Sequence, residues 1–181
     1  MKHHTSEKKL FGIPIKPGRT GVPTGTEPPP IAKLLTRVFG TGLGTGYTPF
    51  AQGTLGSALF VILWVLFVPA KLSYEIIITL LIHGASVPLS GWGERIWGPD
   101  PGRITIDEFA GQAVALIGVP RKPFYIISAF ILFRIFDSLK LKVIKERVET
   151  LPGGWGVTLD DTAAGLISRI IIAIIRKFSA A

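Results

Sequence analysis

The sequence predicts an all-α fold: a single multihelical bundle, embedded in or associated with a membrane, behind a disordered N-terminal tail. Hydrophobic residues make up 48% of the 181 residues and charged residues only 18%, and a domain of this length has too little interior to hide so much apolar surface from water. No charged residue lies between Arg37 and Lys71. No segment shows the sustained period-two alternation of a half-buried β-strand. The sequence therefore predicts helices whose apolar surfaces contact lipid.

The predicted tail comprises residues 1–30. It is rich in Gly, Pro, Thr and Lys and ends in Glu27-Pro28-Pro29-Pro30. Such a composition cannot bury enough apolar surface to offset the entropy lost on ordering. Residues 31–181 then form one domain, because the chain leaves little room for a second.

From Ile31 the apolar pattern is helical, apart from a Gly-rich stretch at 40–57. Pro69 separates two apolar segments, and Pro123 can open a helix because its missing N–H costs nothing in the first turn. The predicted helices lie at 58–70, 74–92, 106–118, 123–150 and 159–178. The first two can form a hairpin, although no apolar segment comfortably reaches the ~20 residues of a transmembrane helix.

The charge pattern favours anionic lipids over nucleic acid as a partner. The net charge is +8, but nucleic-acid-binding proteins interleave Lys and Arg with exposed aromatic residues. Here the basic residues lie at the ends of apolar segments, as at membrane surfaces: Lys33, Arg37, Lys71, Arg121, Lys122, Arg176 and Lys177. The absence of cysteine excludes disulfides, thiolate metal sites and a cysteine nucleophile.

Paired carboxylates recur in two similar strings. Asp107 and Glu108 follow Thr105, and Asp160 and Asp161 follow Thr158. A glycine lies four residues after one acid of each pair, at 111 and 165, on the same helix face, where it lets another backbone approach. We expect the four acids to converge on a hard divalent cation, which prefers oxygen ligands.

Helix capping is the competing interpretation of these strings. Thr105 with Glu108, and Thr158 with Asp161, match the capping box, in which an acid follows Thr by three residues. Acids in a first turn also suit the helix dipole. The box requires neither Asp107 nor Asp160, and the repetition favours the metal site.

A third group, Arg134, Asp137 and Lys140, lies along one side of a predicted helix. A surface ion-pair ladder, worth a few tenths of a kcal/mol per pair, is one interpretation. The group lies where an apolar helix meets its basic continuation, however, and charges near lipid are costly and usually functional. Asp137 can then be a metal ligand, with Arg134 and Lys140 on phosphate oxygens.

The Gly-rich stretch from Gly40 to Ser57 has two interpretations that the sequence leaves open. Backbone N–H groups in such a loop can cradle phosphate, although no Walker A sequence is present. Alternatively, Gly40/Gly44 and Gly42/Gly46 fit the small-residue spacing of closely packed membrane helices.

These strings together resemble the phosphatidylglycerophosphatase A family. The similar segments, in order, are 42–46 with 53–57, 100–108, 133–137 and 153–165. The resemblance implies Mg²⁺-dependent hydrolysis of phosphatidylglycerol phosphate to phosphatidylglycerol and phosphate at the cytoplasmic side of the bacterial inner membrane. It implies catalytic and metal-binding roles for Asp107, Glu108, Asp137, Asp160 and Asp161, and substrate-binding roles for Arg134, Lys140, Thr54, Ser57 and Arg103. Leu141 after Lys140 departs from the Lys-Pro usual in the family.

Other phosphatase chemistries fit the residues less well. A phospho-histidine mechanism needs two histidines, and His83 is the only one outside the tail; the Asp-x-Asp of aspartyl-phosphate enzymes is absent. A small membrane transporter or channel subunit, binding a cation through paired carboxylates, is the alternative from another class. A non-catalytic scaffold is a third.

The implied site also predicts a topology, since all its motifs must face one compartment. A hairpin at 58–92 returns the chain to the same side. A second hairpin at 112–133 is expected to be shallower, because a crossing would place Arg121 and Lys122 outside, against the positive-inside tendency.

Overall fold

The computed structural model describes residues 9–10, 13–14, 27–98, 101–139, 151 and 154–179. The described α-helices are α1 (Pro30–Leu35), α2 (Gln52–Phe67), α3 (Leu72–Trp97), α4 (Ile106–Leu116), α5 (Pro123–Leu139) and α6 (Trp155–Ser179). A π-helical turn, Thr36–Gly40, and a 3₁₀ turn, Thr45–Tyr47, connect α1 to α2. Lys9–Leu10 and Ile13–Pro14 form a two-residue antiparallel ladder, β1 and β2. The rest of the expected disordered tail up to residue 26 lies outside the described residues.

The described part of the domain is helical, as the sequence predicts, but two helices begin a full turn or more earlier than expected. Helix α2 begins at Gln52 rather than 58, and α6 begins at Trp155 rather than 159. Helix α3 continues through Pro88 to Trp97, beyond the expected end at 92. The expected continuation of α5 over 140–150 lies outside the described residues.

Helix α4 is the centre of the bundle. It contacts α2, α3, α5 and α6, and Ala110, Ala113 and Ala115 are fully buried along it. Small side chains let the surrounding helices approach its axis. Leu116, also fully buried, belongs to the same core cluster as Trp64 of α2, whereas Phe133 of α5 packs with Ala115. The central position of α4 fixes where Asp107 and Glu108 in its first turn lie.

An ion pair closes the end of the bundle at which α4 finishes. Arg121 Nη2 lies 2.9 Å from Glu75 Oε1, and the Gly118 N–H donates to Glu75 Oε2 at 2.7 Å. Arg121 also donates to the carbonyl oxygens of Trp64 (2.9 Å) and Val68 (3.3 Å). Hydrogen bonds of this kind are what a buried ion pair needs to offset desolvation. We refer to Glu75, Gly118 and Arg121 as the clasp.

The clasp shows how far the two hairpins reach relative to each other. Arg121 precedes α5, yet it is bonded to Val68, in the connection between α2 and α3, and to Glu75, in the first turn of α3. The hairpin formed by α4 and α5 therefore reaches as far as the hairpin formed by α2 and α3, and it is not the shallower one. Arg121 is held there by its buried partner, Glu75.

The bundle surface carries many exposed apolar side chains towards the clasp end. They lie on α2, α3, α5 and α6, at Val65, Leu66, Phe67, Leu72, Ile77, Leu80, Leu81, Phe124, Ile127, Ile170 and Ile174. Apolar surface on this scale is typical of lipid or partner contact. Of the residues that the structure describes, one helix, α3, is long and apolar enough to cross a membrane.

Candidate active site

The first turn of α4 meets the second turn of α6 at a cluster of carboxylates. Asp107, Glu108 and Asp161 each offer one carboxylate oxygen, and these atoms lie within 4.8 Å of one another. Asp107 and Asp161 are buried, and Glu108 is half-buried. The structure thus brings together residues that are more than fifty positions apart in sequence. We refer to these three residues as the carboxylate cluster.

Two glycines make this crossing possible. An added Cβ at Gly111 of α4 would lie 2.5 Å from the Asp161 carbonyl oxygen, and one at Gly165 of α6 would overlap the Gly111 carbonyl oxygen. Real Cβ atoms do not make such contacts, so the two backbones touch only because both residues are glycine. The close approach predicted from the sequence occurs, and it sets the position of Asp161.

The close, buried carboxylates of the cluster favour a bound cation. Burial, followed by the charges of Asp107, Asp161 and Asp137 and a hydrogen bond to Asp107, raises the pKa of Glu108 well above its ordinary range. Its Oε2 atom is buried and has no hydrogen-bond partner among the described residues. Oxygen atoms of this kind suit Mg²⁺ or Ca²⁺. The carboxylate cluster therefore fits a hard divalent cation.

Arg134 and Asp137 of α5 form an ion pair beside the carboxylate cluster. Arg134 Nη1 lies 2.7 Å from Asp137 Oδ2, and both side chains are mostly buried, with exposed fractions of 18% and 9%. The same nitrogen lies 3.5 Å from Ser57 Oγ. The interpretation of these residues as a surface ladder is wrong for this pair. Lys140 lies outside the described residues.

The capping interpretation of the two Thr-containing strings is not what the structure shows. Thr105 makes no side-chain cap to α4, and its Oγ1 lies 3.0 Å from Thr45 Oγ1. Thr158 lies within α6, and its Oγ1 bonds Ser86 Oγ on α3 at 2.8 Å. Both threonines join the acid-bearing helices to other segments and so position the acids rather than cap them.

The Gly-rich stretch is used for close packing between segments. An added Cβ at Gly46 would overlap the Arg103 carbonyl oxygen, and one at Gly42 would overlap Thr105 Oγ1. Gly42 and Gly44 also have positive φ angles of 53° and 96°, which favour glycine. The contacts are made by loops, however, and not by the membrane helices that the small-residue spacing suggested.

Gly53 is a residue of the site whose individual role sequence reasoning missed. An added Cβ there would overlap Glu108 Oε1 and lie 3.1 Å from Arg134 Nη2. Gly53 thus keeps the first turn of α2 open between a carboxylate and a guanidinium. The signal available in the sequence was only its place in a Gly-rich string.

The remaining predicted residues surround this centre at different depths. Thr54 is exposed and lines a groove with Arg134, and Ser57 is fully buried, with its hydroxyl donating to the Gly53 carbonyl at 2.8 Å. Asp160 is buried beside Asp161 but is not one of the three clustered carboxylates. Arg103 is exposed on the segment that covers Gly46.

Comparison with known proteins identifies the family. The family model of phosphatidylglycerophosphatase A matches residues 38–176. The chain belongs to the phosphatidylglycerophosphatase A family. This confirms the resemblance seen in the motifs. As a family member the chain is a lipid phosphatase, which disfavours the transporter or channel subunit that the paired acids left open.

Three relatives align with most of the length of this phosphatidylglycerophosphatase A family member. It is 39% identical over 151 residues to a Bacteroides thetaiotaomicron protein named "Putative phosphatidylinositol-3-phosphatase", which covers 79% of the chain and 94% of the relative. It is 30% identical over 141 residues to phosphatidylglycerophosphatase A of Escherichia coli (76% and 81% covered). The Haemophilus influenzae protein of the same name is 31% identical over 158 residues (83% and 97%). No solved structure matches the chain significantly.

Proposed function

We propose that the protein hydrolyses phosphatidylglycerol phosphate to phosphatidylglycerol and phosphate, with Mg²⁺, at the cytoplasmic side of the bacterial inner membrane. The observation that carries the proposal is the carboxylate cluster on α4 and α6, with the Arg134 guanidinium beside it. Acidic groups that can hold a metal, next to a cation that can face phosphate, suit metal-dependent phosphomonoester hydrolysis.

Asp107, Glu108 and Asp161 would hold the metal, and Asp137 and Asp160 stay proposed members of the site. Mg²⁺, when bound, supplies positive charge to the phosphoryl oxygens and balances the buried carboxylates. The three clustered acids come from two helices fixed against each other by Gly111 and Gly165. Their positions are therefore set before substrate binds.

Arg134 is the proposed phosphate ligand. The Asp137 carboxylate fixes its guanidinium at 2.7 Å, which leaves other N–H groups of the planar fork for phosphate oxygens. The first turn of α2, at Gly53 and Thr54, lies on the same side. First-turn N–H groups have no partner within a helix and attract anions. Arg134 and α2 would thus orient the phosphate beside the clustered acids.

The membrane location rests on the bundle surface. Helix α3 is long and apolar enough to cross a bilayer, and exposed apolar residues on α2, α5 and α6 extend the same surface. The carboxylate cluster lies at the end opposite the clasp. A bundle seated in lipid by its clasp end would hold the acids at the level of the lipid phosphates.

The name of the B. thetaiotaomicron relative favours phosphatidylinositol 3-phosphate as a second candidate substrate. Both are diacyl lipids whose head group carries a phosphomonoester, so the same acids and Arg134 suit either. The test is phosphate release by purified protein in lipid–detergent micelles from each substrate, with Mg²⁺ and with EDTA. Mg²⁺-dependent release from phosphatidylglycerol phosphate, lost in Asp107→Asn, is expected. Preference for the phosphoinositide would reassign the substrate, and full activity in EDTA would refute the metal role.

A further inference from the structure

We infer that the groove between α2 and α5 holds one acyl chain of the lipid whose phosphate lies at Arg134. This inference rests on the proposed function and deepens it, since it names the part of the substrate that the protein recognises away from the phosphate. The groove begins beside the candidate active site and runs along the bundle surface towards the clasp.

The groove has two parts that lie end to end. The part next to the site has a volume of about 430 Å³ and is lined by Thr54 of α2 and by Phe130, Ile131 and Arg134 of α5, among others. The next part, about 180 Å³, lies between Ala58 of α2 and Phe130 of α5. Phe130 is a wall of both, so the two parts adjoin along the same pair of helices.

The residues that line the path are spaced by helical turns. On α2 they are Thr54, Ala58 and Ile62, and on α5 they are Arg134, Ile131 and Ile127. Residues four apart lie on one face of a helix. Two turns of helix correspond to a path of roughly 11 Å. Its polar lining is confined to the site end.

The chemistry of the path matches a single amphiphilic molecule. Arg134 of the candidate active site lines the part next to the site, and the far part is lined only by apolar side chains. Ile127 and Ile131 are 56% and 48% exposed, and leaving such surface in water costs ~25 cal/mol per Å². The terminal phosphate and the acyl chains belong to one lipid molecule, separated by its head group, so a phosphate bound at Arg134 tethers the chains within reach of this groove.

A second apolar groove, between α1 and α3, has no such link to the candidate active site. Its volume is about 470 Å³, and its described lining, which includes Phe39, Ala85 and Trp92, contains no charged or hydroxyl side chain. None of its described lining side chains would hold the phosphate of the same lipid. It serves instead as the control groove. Its Ala85 is exposed, and Ala58 of the α2–α5 groove is half-buried.

The test compares Ala58→Trp with Ala85→Trp on two substrates. One is phosphatidylglycerol phosphate with long chains, and the other is its deacylated head group, which carries the same phosphate. We expect Ala58→Trp to lower kcat/KM for the long-chain lipid at least tenfold and to leave that for the head group within twofold. Ala85→Trp should change neither. Equal losses on both substrates, or equal effects of the two variants, would overturn the inference.

A second readout is independent of turnover, so that failure of the groove and failure of the proposed function are distinguishable. Long-chain phosphatidic acid with a photoreactive group near the end of one chain is crosslinked to the protein in micelles, and the labelled peptides are mapped. Crosslinks on α2 and α5 that diminish in Ala58→Trp support the inference, even if phosphatidylglycerol phosphate is not hydrolysed. Crosslinks that are spread evenly over α3, or unaffected by the variant, refute it.

Discussion

A methyl group at Gly111 should disable the site from within the bundle, without removing any charged group. The Cβ of Gly111→Ala would lie 2.5 Å from the Asp161 carbonyl oxygen and 2.6 Å from Phe133 Cε2. Ordinary van der Waals contact begins at 3.4 Å. Helix α6 must therefore move away from α4 by about 1 Å, as expected of an overpacked interface.

The magnitude follows from the tolerance of the metal. Mg²⁺ demands near-ideal ligand distances of about 2.0–2.1 Å, and a displacement of ~1 Å at a catalytic group can cost on the order of 10²-fold in rate. We expect kcat to fall about 100-fold, the Mg²⁺ concentration for half-maximal activity to rise, and the free energy of unfolding to fall by about 1–3 kcal/mol.

Gly84→Ala is the matched control. Gly84 lies within α3, and an added Cβ there meets no atom within 4 Å. Because alanine is the better helix former by about 1 kcal/mol, this variant should be as stable as the parent or more so, and fully active. The assay is phosphate release against Mg²⁺ concentration, with thermal unfolding of each variant. A Gly111→Ala protein within threefold of parent activity would refute the reasoning.

Three further outcomes are expected. Asp107→Asn should abolish Mg²⁺-dependent phosphate release while the thermal midpoint of the metal-free protein is kept, because the amide preserves shape but not charge; activity at saturating Mg²⁺ would contradict this. Arg121→Met should lower the free energy of unfolding by about 3–5 kcal/mol, since it leaves the buried Glu75 carboxylate without its counter-charge, and adding Glu75→Gln should recover much of the loss in denaturant titrations. The raised pKa of Glu108 means that its contribution to stability is complete below the ordinary pKa of glutamate and is lost as pH rises through the raised value. The thermal midpoint of the metal-free protein should therefore fall as pH rises, and a Glu108→Gln variant with the same slope would disprove this cause.

The sequence predicted the parts of the site that depend on spacing within one helix. Gly111 lies on the helix face of Asp107, and Gly165 on that of Asp161, so the close crossing of their helices could be foreseen. The identity of the crossing helices follows from the repeated string. Periodicity likewise placed most helices, because apolar faces dominate local propensity in this chain.

The start of α2 could not be predicted, because tertiary packing overrides propensity there. Gly53 and Gly56 disfavour a helix by about 1 kcal/mol each, yet they are needed for the close approach to Glu108 and Thr105. The start of α6 was misjudged for a related reason. Thr158 resembles a cap locally but makes its hydrogen bond to Ser86, a residue 72 positions away.

The order in which the chain is synthesised gives the clasp a further significance. Glu75 lies in the first turn of α3, and Arg121 is made 46 residues later. Until then, a hairpin of α2 and α3 that entered the bilayer would carry an uncompensated carboxylate, and charged side chains within a bilayer are costly. For a bundle seated in lipid, the first hairpin is therefore expected to settle only when the turn before α5 arrives. Biogenesis would then proceed by concerted entry of both hairpins rather than helix by helix.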